Sequence, residues 1–176
     1  EGLVFKFGTV QAGGYDALDG ESSAAYIAYG SGSHYLASNG AAIPTNGYLV
    51  SPSGKCFAVM QGDGNFCVYK GSGPSDNQGF LFGTVQSAGY EPETGAYHAV
   101  MQDDGNFCVY AGNQGEALEF RFGSVQAGGY EPETGAYCLV MQDDGNLCVY
   151  KGEHPGSEGL VFKFGTVQAG GYDALE

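Results

Sequence analysis

The chain has 176 residues, with six Lys and Arg against twenty Asp and Glu for a formal net charge of −14, and it carries 32 glycines, 13 tyrosines, 11 phenylalanines and no tryptophan. That charge repels phosphate backbones and anionic headgroups, which argues against nucleic acid and membrane surfaces as partners. No apolar run reaches the ~20 residues that span a bilayer, so membrane insertion is not expected.

The length suffices for one ordinary core, and the richness in Gly, Tyr and Phe favours short strands joined by tight turns, an all-β chain. Glu1 opens no signal peptide and no Met begins the chain, as expected of a processed or excised product; a secreted or cell-surface setting is favoured. Five cysteines cannot all pair within one chain, and no CxxC or Cys/His ligand spacing is present. Neither a disulfide framework nor a zinc site is expected.

The chain opens with EGLVFKFGTVQAGGYDAL, Glu1 to Leu18, and the same 18 residues return at Glu158 to Leu175, an offset of 157. Two identical β-rich segments then compete for one place in the last sheet, where FKFGTV should pair. The surplus copy, expected to be Glu1 to Leu18, keeps unpaired backbone groups and an apolar Leu-Val-Phe run suited to another sheet edge. Residues 1–33 are therefore read as an N-terminal extension and 34–176 as the folded domain.

From there a unit of about 40 residues recurs three times, marked by Gln61, Gln102 and Gln142 and by Phe82, Phe122 and Phe164. GYEPETGAY stands identically at Gly89 to Tyr97 and Gly129 to Tyr137, whereas the first unit has GYLVSPSGK, Gly47 to Lys55. The glycine content argues against helical repeats, and three units are too few for an ordinary propeller. A three-sided β assembly is the remaining architecture.

Each unit holds a hairpin: MQGDGNFCVY from Met60, MQDDGNFCVY from Met101 and MQDDGNLCVY from Met141. An Asp-Gly pair between two apolar-rich runs supplies the turn. A loop of Asp103, Asp104 and Gly105 sets Gln102 against Asn106, Val100 against Cys108 and His98 against Tyr110 on one face. Met101 with Phe107 and Ala99 with Val109 then line the core face. The same register puts Cys138 opposite Tyr150 and only diagonal to Cys148, ~7–8 Å away, so no disulfide is expected within the hairpin.

On the outer face Gln102, Asp104, Asn106 and Tyr110 converge, mixing donors and acceptors over a shallow area that suits the vicinal hydroxyls of a sugar. No second carboxylate at a glycosidase separation and no Ser/His/Asp set accompanies them, so an enzyme is not expected. Asp103 and Asp104 lack the further ligands of a calcium loop, and neither metal nor cofactor is expected. The bland reading, that Asp-Gly and Asn merely build turns, leaves the flanking Gln and Tyr unexplained.

The pattern Gln-x-Asp-x-Asn-x-x-x-Tyr, three times at this spacing, resembles the bulb-type, snowdrop-related mannose-binding lectins, whose motif is Gln-x-Asp-x-Asn-x-Val-x-Tyr. The resemblance covers roughly His34 to Gln168. It implies a β-prism II fold, three antiparallel four-stranded sheets with pseudo-three-fold symmetry and a shallow mannose site on each. By resemblance Gln61, Gln102 and Gln142 bond the sugar 3-hydroxyl. Asp63, Asp104 and Asp144 with Asn65, Asn106 and Asn146 take the axial 2-hydroxyl, and Tyr69, Tyr110 and Tyr150 the 4-hydroxyl.

Two departures stand out. Cys67, Cys108 and Cys148 occupy the valine position against the sugar ring, and Phe82, Phe122 and Phe164 stand where the family has core tryptophans. Cysteine is close to valine in size, and a conservative replacement is expected. The resemblance also implies exchange of C-terminal strands between subunits, hence a homo-oligomer or tandem array. The expected function is multivalent binding of mannose-containing glycans. A structural or adhesive repeat protein on a lectin scaffold with degenerate sites is the alternative.

Overall fold

The computed structural model describes residues 33–38, 41–116 and 118–176, together with the backbone of 27–28. The copy at Glu1 to Leu18 and nearly all of the expected extension lie outside the described residues. Among the described residues there are thirteen strands: β1 (Ile27–Ala28), β2 (Tyr35–Ala37), β3 (Ile43–Pro44), β4 (Gly47–Val50), β5 (Cys56–Met60), β6 (Phe66–Gly73) and β7 (Asp76–Gly83). After them come β8 (Tyr97–Met101), β9 (Phe107–Ala111), β10 (Glu119–Gly123), β11 (Tyr137–Met141), β12 (Leu147–Lys151) and β13 (Val161–Gly165).

They form the expected three antiparallel sheets of four strands, the β-prism. The orders are β4-β5-β6-β7, β10-β9-β8-β3 and β13-β12-β11-β2. One feature goes beyond the expectation: β1 runs parallel to β4 and adds a fifth strand to the first sheet. It occupies backbone groups that would otherwise stand open along that edge. The short stretch from Tyr35 to Val50 supplies one strand to each sheet, β2 to the third, β3 to the second and β4 to the first. It fastens the three together.

The hairpin register agrees with the alternation of the sequence. His98 pairs with Tyr110, Val100 with Cys108, Ala99 with Val109, Met101 with Phe107 and Cys138 with Tyr150. All five cysteines are free. The inward side chains of the three sheets share one core along the axis, in which Phe66, Phe107, Phe122 and Phe164 meet edge to face. Phe82, Phe122 and Phe164 are all buried there, as the sequence suggests.

Each last strand carries a β-bulge. Phe80 pairs with Tyr69 and Phe82 with Val68, and the register shifts between them; Phe120 and Phe122, and Phe162 and Phe164, repeat the arrangement. Residues two apart on a regular strand share a face, whereas the extra residue sends the first Phe outward and the second inward.

Glycine content argues against helices, yet three one-turn helices follow the bulges: α1 (Thr84–Ala88), α2 (Ser124–Gly128) and α3 (Thr166–Gly170). Their support is tertiary, since five residues of this composition would not hold a helix alone. Ser124 Oγ accepts the Phe107 N–H at 2.9 Å, Tyr130 donates to Gly105 O at 2.6 Å, and Ser124 lies 2.6 Å from that phenol. Thr84 with Tyr90 and Thr166 with Tyr172 repeat the set. Each helix is thereby pinned against the hairpin turn of its own unit.

The sheets are also laced across their seams. Tyr97, from the second unit, lies under Gly64, and Tyr137, from the third, lies under Gly105, where a Cβ would come within 2.9 Å of either the ring's Cε2 or its Cζ. Gly105 also has φ +88°, so glycine is required there on both counts. The third seam differs: Cys56 stands at the tyrosine position, its Sγ donating to Gln142 O at 2.9 Å, and Leu175 fills the space beside Gly145.

Candidate functional site

Each hairpin turn holds its tetrad by hydrogen bonds among the Tyr, Gln and Asp side chains and the Asn backbone N–H. In the second unit Tyr110 donates to Gln102 Oε1 at 2.6 Å, and Gln102 Nε2 reaches both Asp104 oxygens at 3.3 and 3.4 Å. Asp104 Oδ1 also accepts the Asn106 N–H at 2.9 Å. The result is a chain running from phenol to amide to carboxylate across the outer face. Tyr69, Gln61 and Asp63 form the same chain, as do Tyr150, Gln142 and Asp144.

The asparagines do something that spacing alone does not reveal. Asn106 Oδ1 accepts the Val125 N–H at 2.9 Å and its Nδ2 donates to Gln126 Oε1 at 3.1 Å. The N-cap residue Gly123 has no side chain to offer α2, so Asn106 caps the helix from the end of the hairpin turn. Asn65 and Asn146 serve α1 and α3 in the same way. A Cβ at Gly123 would collide with Gln126 Oε1 and come within 2.8 Å of Asn106 Oδ1, which explains a glycine after each core Phe. Each asparagine keeps one N–H of its amide for another acceptor.

Cys67, Cys108 and Cys148 sit on this face, but each is only 1% exposed. They lie opposite Val59, Val100 and Val140 across the hairpin. Burial pushes the Cys108 and Cys148 thiols up to about 12 and Cys67 upward as well. All three are neutral at ordinary pH, apolar in effect and not nucleophilic. Burial, then the neighbouring Cys108, pushes Tyr110 up to about 12, so its phenol stays a donor to Gln102.

Each site thus gathers the groups a polyol needs, a phenol, a primary amide, a carboxylate and a second amide. The sites are not equally open. Gln61 and Tyr69 are each 4% exposed, whereas Gln102, Tyr110, Gln142 and Tyr150 are partly exposed. Burial also raises Asp63 above the ordinary carboxylate value, against the N–H of Asn65 and the amide of Gln61, which lower it.

A row of rings crosses each outer face through the site tyrosine. In the first it runs Tyr48, Phe57, Tyr69, Phe80. In the second it runs His98, Tyr110, Phe120, with His98 Nδ1 donating to Gly112 O at 2.7 Å. The third has Cys138 in place of the first ring, then Tyr150 and Phe162. Phe80, Phe120 and Phe162 are missed by hairpin reasoning; the signal is the repeated Phe-x-Phe-Gly, legible only once the bulge is known. Among the described residues no three His, Cys, Asp or Glu side chains converge as metal ligands would.

No protein-family model matches the chain, and no curated protein matches it in sequence. Its structure is similar to that of a monomeric monocot mannose-binding lectin from Gastrodia elata, with TM-score 0.53 and 21% identity, covering 76% of this chain and 96% of that one. It is also similar to a Marasmius oreades lectin, with TM-score 0.57 and 22% identity, covering 82% of this chain and 98% of that one. At such identities the shared property is the fold, a three-sided β-prism.

Proposed function

We propose that the protein is a carbohydrate-binding protein rather than an enzyme, a lectin with up to three shallow sites for mannose-containing glycans. The observation that carries this reading is the Tyr-Gln-Asp chain, held in the same form on all three outer faces. Gln61, Asp63, Asn65 and Tyr69 form the first site, Gln102, Asp104, Asn106 and Tyr110 the second, and Gln142, Asp144, Asn146 and Tyr150 the third. In this reading Cys67, Cys108 and Cys148 shape the floor beneath the sugar. The pattern's resemblance to the mannose-binding motif supplies the sugar, and the solved lectins of the same fold are consistent with it.

An open site that exchanges a few hydrogen bonds with water for others with sugar nets about 4–5 kcal/mol, roughly millimolar. Useful affinity therefore comes from several sites on one particle. The copy at Glu1 to Leu18 supplies a route: β13 holds the place in the third sheet for the copy at Glu158 to Leu175. The identical N-terminal segment pairs with the equivalent sheet of another subunit or tandem unit and makes the lectin oligomeric.

Retention on immobilised mannan, released by free methyl α-mannoside, tests the binding reading. A protein that passes through unretained at micromolar site concentration is the structural repeat protein instead. Deleting residues 1–18 and measuring mass by light scattering tests the association, which an unchanged mass removes.

A further inference from the structure

Phe80, Phe120 and Phe162 have no role in the tetrads, and the core does not need them, because Phe82, Phe122 and Phe164 fill it. They are 49%, 48% and 47% exposed, on strands β7, β10 and β13, which end each sheet among the described residues. An exposed aromatic ring on an edge strand is an aggregation liability that proteins ordinarily replace with charge. Here the liability is kept three times. The residues on either side are not kept: Gly79, Glu119 and Val161 precede, and Leu81, Arg121 and Lys163 follow.

Each ring is also placed with respect to a site. It lies directly across the strand pair from the site tyrosine and meets it edge to face at 6.0, 6.1 and 6.0 Å between centroids. The phenol of that tyrosine points to glutamine, so the sugar-bonding chain and the exposed ring are the two ends of one surface. The bulge is the device that turns the ring outward at this point.

We propose, resting on the lectin reading above, that Phe80, Phe120 and Phe162 form a second subsite beside each tetrad, a stacking platform for the C–H face of the next pyranose in a bound oligosaccharide. A pyranose carries hydroxyls around its rim and a patch of C–H groups on its face. An aromatic ring takes that patch without needing a hydrogen-bond partner. The tetrad orients the first sugar by its hydroxyls, and the phenylalanine holds the second by shape. A neutral ligand also suits a chain of net charge −14, which repels anionic ones. The subsite makes the protein prefer chains of sugars to single ones.

The test compares intact protein with F80A/F120A/F162A, substitutions at exposed positions. Titration uses methyl α-mannoside against a panel of α-linked mannobioses and mannotriose. For the intact protein the better oligosaccharide binds tighter per site than the monosaccharide by about tenfold, the size of one good aromatic contact. In the triple alanine variant that ratio collapses toward one, and Phe→Trp at the three positions restores it. Upfield ring-current shifts of C–H protons on the second sugar appear with the intact protein and vanish with the variant.

An intact protein with no preference for oligosaccharides overturns the subsite, and so does a variant that keeps the preference. A variant that keeps the preference but sediments at a smaller mass than the intact protein assigns the rings to a contact between copies and overturns it too. Failure of the lectin reading itself looks different: the intact protein then binds neither monosaccharide nor oligosaccharide, and the subsite falls with it.

Discussion

Tyr69 and Tyr150 make the same bond, to Gln61 at 2.5 Å and to Gln142 at 2.6 Å, in different surroundings. In the first site the tyrosine stacks on Phe57 within a row of four rings, and both it and its glutamine are nearly covered. In the third site Cys138 replaces the stacked ring, and the tyrosine and glutamine are partly open. The contacts that hold a tetrad together come from its own hairpin and the helix about 20 residues later. Those that cover it come from residues that do not repeat. Geometry is therefore a property of the unit, and access is a property of its place in the chain.

The strongest way to break this separation is to attack the repeated geometry. Gly83→Ala, Gly123→Ala and Gly165→Ala should each displace the asparagine amide, uncap a helix and lower stability by about 2–3 kcal/mol. Denaturant unfolding should give similar losses for all three; a loss confined to one unit means the units are not autonomous.

Attacking the binding groups should instead separate the sites. Asp144→Ala should remove the third site's charge-assisted acceptor, worth about 1.5–3 kcal/mol or ten- to a hundredfold in affinity there. Asp63→Ala should remove less of the total mannoside bound, because its partners Gln61 and Tyr69 are covered. Counting sites by calorimetry against a multivalent mannan fragment checks the inequality, and equal losses would show that cover does not limit access.

A smaller effect sharpens the same contrast through pH. Burial raises Asp63 in the folded state, so the folded protein takes up that proton at a higher pH than the unfolded chain, whose ordinary value is 3.8. Stability therefore rises as pH falls between the raised value and 3.8, and above that window the charged carboxylate is a liability. Asp63→Asn should flatten the stability profile in this window while abolishing sugar binding at the first site. Unfolding midpoints from pH 3.5 to 6, a range of roughly one carboxylate titration, decide it.

The smallest effect is expected at the buried thiols. Cys67→Val, Cys108→Val and Cys148→Val together should shift stability by no more than about 1 kcal/mol per site and leave mannan retention intact. Lost retention with an intact circular dichroism spectrum would give sulfur a specific role.

Much of this was legible in order. The Asp-Gly turns and the alternation from Tyr97 to Tyr110 specify register and core face, because a slip by one residue would exchange Met101 and Phe107 for Gln102 and Cys108 in the core. The tetrads are legible for the same reason. The helices are not, since Thr84 to Ala88 carries no helical periodicity and its cap arrives from Asn65, in a hairpin turn about 20 residues earlier. The outward turn of Phe80 is hidden by strict alternation, which puts it on the same face as Phe82. The fifth strand gives no signal in two residues, Ile27 and Ala28.

The uneven third seam bears on how the triangle closes in time. Glu93 and Glu133 bond back to Asp63 and Asp104, about 30 positions away, so two seams form between neighbours in the chain. The third joins Ser53 to Asp143 and Cys56 to Gln142, separations of 90 and 86, while Tyr35 to Ala37 must find β11 a hundred positions on. Loop closure weighs more heavily on such contacts. Folding then resembles winding two sides of a strip before latching it, with Leu175 as part of the latch. Amide hydrogens along that seam should be the first to exchange when the native protein breathes, well before those of the other two.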